Sequence, residues 1–339
     1  MKYFHFFETQ AAHDAEYTRL SENYLEPWVA YTPQASLVTY NLPPADWSKE
    51  YLAIRAIEDG LIGHDSGCFY STDNGESWSQ LNNGSSIGVN AGDAVMFKRT
   101  AQSGGTFSST GKIEVMGNAY SMIYGDNFID VNDLSDRVGC LSGLFKNCYN
   151  LVSAKNLSLP AMILGEKCYD GMFYHCDSLV EPPKLPATTL AMQCYIYMFQ
   201  YCSGLTTAPE LPASVMADRC YYGMFRDCTS LTNAPELNSS SLNVYCYGSM
   251  FRNCTSLTTA PELPAITLVE GCYDSMFRYC SRLNYIKAMF TTEPTTAYTQ
   301  NWVSGVPSSG TFVKNSVATW NVSGANGIPS GWTVQTASS

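Results

Sequence analysis

Residues 220–237 read CYYGMFRDCTSLTNAPEL, and residues 246–263 return the phrase as CYGSMFRNCTSLTTAPEL. Working outward from Phe225, an equivalent Phe stands at 145, 173, 199, 251 and 277, so the interval is 28 residues once and 26 thereafter. A Cys lies five residues before each Phe (140, 168, 194, 220, 246, 272) and another three after it (148, 176, 202, 228, 254, 280). Twelve of the thirteen cysteines therefore belong to one pattern. Leu144 or a Met precedes each Phe, a Leu follows six residues on, and a second Leu column runs through 159, 185, 211, 237 and 263. A period in the twenties with several apolar columns marks units that bury one another's faces and do not fold singly. Each buried Phe or Leu is worth on the order of 1.5–3 kcal/mol, and in a stacked column that gain recurs in every unit.

Within a unit, C-Y-x-x-M-F-x-x-C sets its Cys, Met-Phe and Cys at offsets that share one face at 3.6 residues per turn, which predicts a short helix. The segment S-L-T-x-A-P-E-L-P-A is β-branched and proline-bounded, which predicts one short strand per unit. The expected fold class is thus mixed α and β: a solenoid of one short strand and one short helix per 26-residue unit over 126–290, preceded by a small antiparallel β-domain over 43–125. Residues 1–42 are expected to form an attachment segment, with Pro27, Trp28 and Val29 at its centre. Residues 291–339, with Trp302, Phe312, Trp320 and Trp332 among Gly and Ser, are expected to cap the last unit.

If the cysteine segment is helical, its two thiols stand about 12 Å apart along the axis, beyond the roughly 7 Å Cα limit of a disulfide. Neighbouring helices about 8–10 Å apart also hold most equivalent pairs too far for bridging. Zinc ligands come in closer C-x2-C pairs. The expected state is a reduced, buried thiol acting as a small hydrophobe.

These residues resemble the BspA-like class of bacterial leucine-rich repeats, with the match carried by Leu211-Pro212, Cys220, Phe225, Cys228 and Leu231 and their equivalents over about 138–290. Asn238, where a Pro is expected, and the longer first interval depart from it. The whole chain, with YLEPWVAYT before the repeats and NWVSGVPSSGTFVKN after them, is similar to proteins of gut Bacteroides and their phages. That resemblance implies a leucine-rich-repeat solenoid and binding in place of chemistry: a non-enzymatic virion-surface protein of tail or fibre, recognising host surface glycan or protein. The alternatives are a bacterial cell-surface adhesin and a purely structural virion protein that bridges or decorates other subunits. Other virion proteins are the expected partners of the N-terminal segment, and self-association is left open. The absence of a signal-peptide pattern in the first thirty residues favours assembly in the host cytoplasm onto a virion.

Composition narrows the partners further. The net charge is −11 with scattered Lys and Arg, which excludes a phosphate-backbone footprint, and no apolar run predicts membrane insertion. From Tyr51 to Tyr124, the runs YLAIRAI, GCFYSTD, AVMFKRT and GKIEVMG alternate between Gly, Asn and Ser turns and predict strands. Among them, Ser71-x-Asp73-x-Gly75-x-x-Trp78 looks like the Asp-box turn of sialidases and other β-propellers, a hairpin element remote from catalysis. His5, His13, His64 and His175 have no neighbours that predict a triad or metal cluster, so no catalytic residue, metal ligand or cofactor is expected. Binding is expected at positions that vary between otherwise identical units. These are Tyr174, Gln200, Arg226, Arg252 and Arg278 on the helix side, with Glu181, Thr207, Asn233 and Thr259 along the strand.

Overall fold

A computed structural model of the chain describes residues 46–337, and before them only the backbone pairing of β1 (Phe4–His5) with β2 (Val38–Thr39). Pro27, Trp28 and Val29 lie outside the described residues. Strands gather in three further sheets. The largest runs β11 (Leu151–Ser158), β10 (Ile113–Asn118), β3 (Leu52–Ala56), β8 (Ala94–Lys98), β5 (Cys68–Ser71) and β6 (Ser79–Leu81). Its pairs are antiparallel except β10 with β11. A second sheet sets β4 (Gly60–His64) between β7 (Ser85–Val89) and β9 (Phe107–Ser109). At the other end β12 (Tyr285–Ala288), β13 (Thr311–Lys314) and β14 (Thr333–Thr336) pair in parallel.

Alternation explains the first sheet. Leu52, Ile54 and Ala56 turn inward onto Val95, Phe97, Ile113 and Val115, while Arg55 meets Glu114 across the β3–β10 pair. Asn118 pins this sheet to the chain before it, donating from Nδ2 to the Ser48 carbonyl at 2.7 Å.

The expected leucine-rich-repeat solenoid of one helix and one strand per unit is corrected here. From Cys168 to Cys280 the chain contains no helix and no strand, and the three sheets described above are not built from the repeat. The cysteine segments are runs of tight turns. Every fourth residue sits in the left-handed region: Gln193, Tyr197 and Tyr201 have φ of 59, 55 and 66°, and Arg219, Gly223 and Asp227 have 54, 60 and 62°. A helix cannot accept a left-handed residue in each turn.

Hydrogen bonding alternates to match. Ile196, Met198, Gln200 and Cys202 donate within their own turn to the carbonyl three residues back, at 3.0–3.2 Å. Tyr195, Tyr197, Phe199 and Tyr201 donate 25 residues ahead, to Cys220, Tyr222, Met224 and Arg226, at 2.9–3.0 Å. Each segment is therefore ladder-bonded to the next, as a strand would be, while its intervening N–H groups close turns. The proline-bounded segments make only isolated parallel bridges, Ser153 with Glu181, Thr207 with Asn233 and Thr259 with Tyr285. Prolines at 209, 212, 235, 261 and 264 lack the N–H that a longer ladder requires.

The core follows from this turn ladder. Phe145, Phe173, Phe199, Phe225, Phe251 and Phe277 are fully buried and stack in one column, with centroids 5.4–5.8 Å apart. A second column runs through Tyr169, Tyr195, Tyr221, Tyr247 and Tyr273 at 5.6–6.1 Å. Such ring pairs add about 0.5–1.5 kcal/mol each beyond the area they bury. Phe107 of β9 continues the Phe column at one end, 5.7 Å from Phe145. Trp302 closes both columns at the other, 6.1 Å from Phe277 and 6.3 Å from Tyr273, with its indole N–H on the Gly327 carbonyl. One apolar core thus runs from Leu52 to Trp332.

Candidate functional site

In each cysteine segment two residues point inward and the next two outward, so the outer surface is a set of columns over an invariant interior. Tyr174, Arg226, Arg252 and Arg278 lie half-buried on this outer surface. Gln200, expected among them as a contact residue on the surface, is instead buried at 5 % exposure, beneath the chain surface on which Tyr174, one unit back in its own column, meets Tyr201 edge to face at 5.5 Å. The strand-side residues sit on a different face. There Glu181 accepts from Lys155 at 2.9 Å, which holds its carboxyl below the usual range, and Asn233 donates to the Thr207 hydroxyl at 3.3 Å. Thr207, Asn233 and Thr259 are exposed.

The outer face is aromatic and charged. His175 is stacked on Tyr201 at 4.7 Å, has Tyr149 edge-on at 5.5 Å, and shares a hydrogen bond of 2.8 Å between Nδ1 and Asp177. The Lys146 ammonium lies 5.2 Å over the Tyr174 ring. Burial and the neighbouring Tyr201 raise the Tyr174 hydroxyl pKa. Arg226 is paired through Nε with Asp227 at 3.2 Å, and Asp227 also accepts from Asn253 at 2.8 Å. Arg252 and Arg278 approach the Tyr279 ring at 5.9 and 4.8 Å, and Arg278 donates to the Tyr279 hydroxyl at 2.9 Å.

Tyr197, Tyr222 and Tyr245, absent from the expected set, extend the same face, with Arg219 5.2 Å over the Tyr245 ring. Each lies over a glycine one unit ahead in its own column. A Cβ on Gly223 would stand 2.7 Å from the Tyr197 ring, and one on Gly271 only 2.3 Å from that of Tyr245. The signal was present in the sequence as Tyr followed 26 residues later by Gly, at 197 and 223, 222 and 248, 245 and 271, and 279 and 305.

The thiols behave as interior groups. All thirteen cysteines are free and buried. Cys176, Cys202, Cys228, Cys254 and Cys280 each donate to the Phe carbonyl of the preceding unit at 3.0–3.1 Å. Burial pushes Cys148 and Cys272 up to about 11 and raises Cys202 and Cys228 further. The distances expected for packed helices do not apply, because ladder-bonded units stack at the ring spacing.

Two other features lie in the sheet region. In the Asp-box-like turn, Ser71 donates to Asp73 at 2.6 Å, Gly75 N–H donates to Ser71 Oγ at 2.8 Å, and Ser77 donates to Asp73 from both its amide and its hydroxyl. The Ser71 and Ser77 bonds hold the Asp73 carboxyl down to about 2. Trp78 closes this turn against Tyr51 at 4.9 Å, under the Lys98 ammonium at 4.1 Å. His64 is buried with Nε2 2.8 Å from the Gly104 carbonyl, and burial lowers its pKa. It borders an open cleft of about 540 Å³ that continues past Ser85, Ser108 and Asp65 to Lys146 and Asn147. Among the described residues, no group of three or more His, Cys, Asp or Glu could hold a metal ion, and no helix is long and apolar enough to cross a membrane.

Compared with family models, curated proteins and solved structures, the chain matches none.

Proposed function

We propose that the protein is a non-enzymatic recognition component of a phage virion surface, of the tail or fibre kind, which presents the outer face of its turn ladder to host surface glycan or protein. One observation carries the reading. The inner columns keep Cys, Met and Phe almost unchanged from unit to unit, while the outer columns change between Tyr, His, Arg, Asp and Asn and stay partly open to solvent. Packing explains the first set and leaves the second free to specify a ligand. Tyr and Arg are the side chains that concentrate binding energy at interfaces, through large rigid contact area and a fixed fork of donors.

The virion setting is drawn from the resemblance to phage and gut-bacterial proteins, with the N-terminal segment as the attachment to other virion proteins. Soluble full-length protein should compete with particles that carry it for adsorption to host cells. Failure to compete at saturating dose would leave a bridging or decorating role. Recovery of the chain from the host envelope, and not from purified particles, would make it a cell-surface adhesin.

A further inference from the structure

The positions that follow each core Phe read Lys146, Tyr174, Gln200, Arg226, Arg252 and Arg278, so four of six are cationic on a chain whose net charge is −11. The arginines are consecutive ladder steps: Asp227 N–H donates to the Arg252 carbonyl and Asn253 N–H to the Arg278 carbonyl, both at 2.8 Å. Like charges held one step apart repel, and an anion nearby relieves the repulsion. Arg226 has Asp227. Arg252 and Arg278 have no carboxylate within ion-pair distance among the described residues; their guanidiniums converge instead on the ring of Tyr279, which is 44 % exposed.

We infer that this row binds an acidic polysaccharide laid along the stacking direction, with sugar carboxylates at Arg252 and Arg278 and sugar faces against Tyr279 and Tyr201. The inference rests on the recognition reading and names its ligand class. The guanidinium fork accepts a carboxylate through two parallel hydrogen bonds, which an ammonium cannot match. A ligand that satisfies a cation at each successive unit must itself repeat, with a rise comparable to the ring spacing of 5.4–5.8 Å, close to the length of one sugar residue in an extended chain. The rings supply the flat apolar contact that a sugar face needs. The rings favour a sugar polymer over a polyphosphate, which offers them no apolar face, and the chain, with a net charge of −11, lacks the broad basic field that nucleic acids require.

The test is native affinity electrophoresis of the full chain in gels containing polygalacturonate or alginate, with hydroxyethylcellulose and single-stranded DNA as comparisons. Retardation by an acidic polysaccharide, weakened by added salt and absent with the other two polymers, is expected. The double variant R252Q/R278Q should bind at least roughly tenfold more weakly, since two charge-assisted contacts are removed. An unchanged unfolding midpoint for that variant shows that only the surface was altered; if the midpoint falls, Y279A supplies the surface test, and it too should weaken binding. The inference is overturned if neither acidic polymer retards the protein, if hydroxyethylcellulose or DNA retards it equally, or if R252Q/R278Q and Y279A both bind as the parent does. Competition for adsorption without retardation would remove this ligand class and leave host recognition standing.

Discussion

The sheet region from Leu52 to Asn118 and the turn ladder from Cys140 to Cys280 bury similar apolar side chains with different backbones. In the first, strands far apart in sequence pair, β3 lying between β8 and β10, and each hydrogen bond depends on a neighbour brought in by the fold. In the second, alternate N–H groups are satisfied three residues away and the rest about 25 residues away. The contrast shows that a period-two division of donors does not require extended backbone. It requires only that every N–H has a partner, and turns closed by left-handed residues meet that condition as well as strands do.

The largest expected effect separates the two regions by pH. Thiols whose folded pKa is raised contribute stability in full below the unfolded value of roughly 8.5 and lose it as pH rises towards the folded value, at about 1.4 kcal/mol per unit for each. Cys148 and Cys272 reach about 11, Cys176 and Cys202 are raised further, and Cys168 is lowered by its hydrogen bond with Cys140, whereas the sheet region carries Cys68 alone, at about 12. The ladder should therefore open first between pH 9 and 11. Iodoacetamide labelling mapped by peptide mass should reach the cysteines of 140–280 before Cys68, and simultaneous labelling would show that one transition governs both regions.

Next in size is Phe225→Ala. Phe225 has Phe199 at 5.6 Å on one face and Phe251 at 5.7 Å on the other, so truncation interrupts a column and should cost about 3–5 kcal/mol in denaturant unfolding. The same truncation of Phe97, held edge-on to Phe107 at 4.9 Å in the sheet core, should fall in that range too. A much smaller loss at Phe225 would mean that the ladder core is loosely packed.

The smallest effect is the sharpest on geometry. Gln193 has φ of 59°, and glycine is at home there, so Gln193→Gly should stabilise by about 1 kcal/mol. In a helix the same change would destabilise by about that amount. The sign, read from the midpoint of chemical unfolding, decides between turns and helix.

The misreading of the cysteine segment has a physical origin. Inward positions at offsets 0, 4, 5 and 8 fit a helix of 3.6 residues per turn and also fit a strict period of four. The buried Tyr at offset 1, as in Tyr195 beside Cys194, favours the period of four, since a helix turns adjacent residues about 100° apart. The left-handed positions were harder to see because Gln193, Tyr197, Arg219 and Tyr245 are not residues that announce positive φ. In the sheet region, the alternating runs read as strands coincide with β3, β5, β8 and β10. Their partners, and the parallel addition of β11 beside β10, were beyond local pattern. On the candidate face, variation between units points to Tyr174 and the arginines, which are half-buried, and equally to Gln200, which is buried, because variation between units does not report exposure.

By itself the sequence determined the repeat interval, the buried columns of Cys, Met, Phe and Leu, and the alternation of the strand runs, because these depend on spacing along one chain. The tertiary structure decided the turn backbone, the order of strands in the sheets, the convergence of Arg252 and Arg278 on Tyr279, and the burial of Gln200. Those outcomes depend on which donors find partners and which side chains share space, and both are settled only when segments distant in sequence are brought into contact.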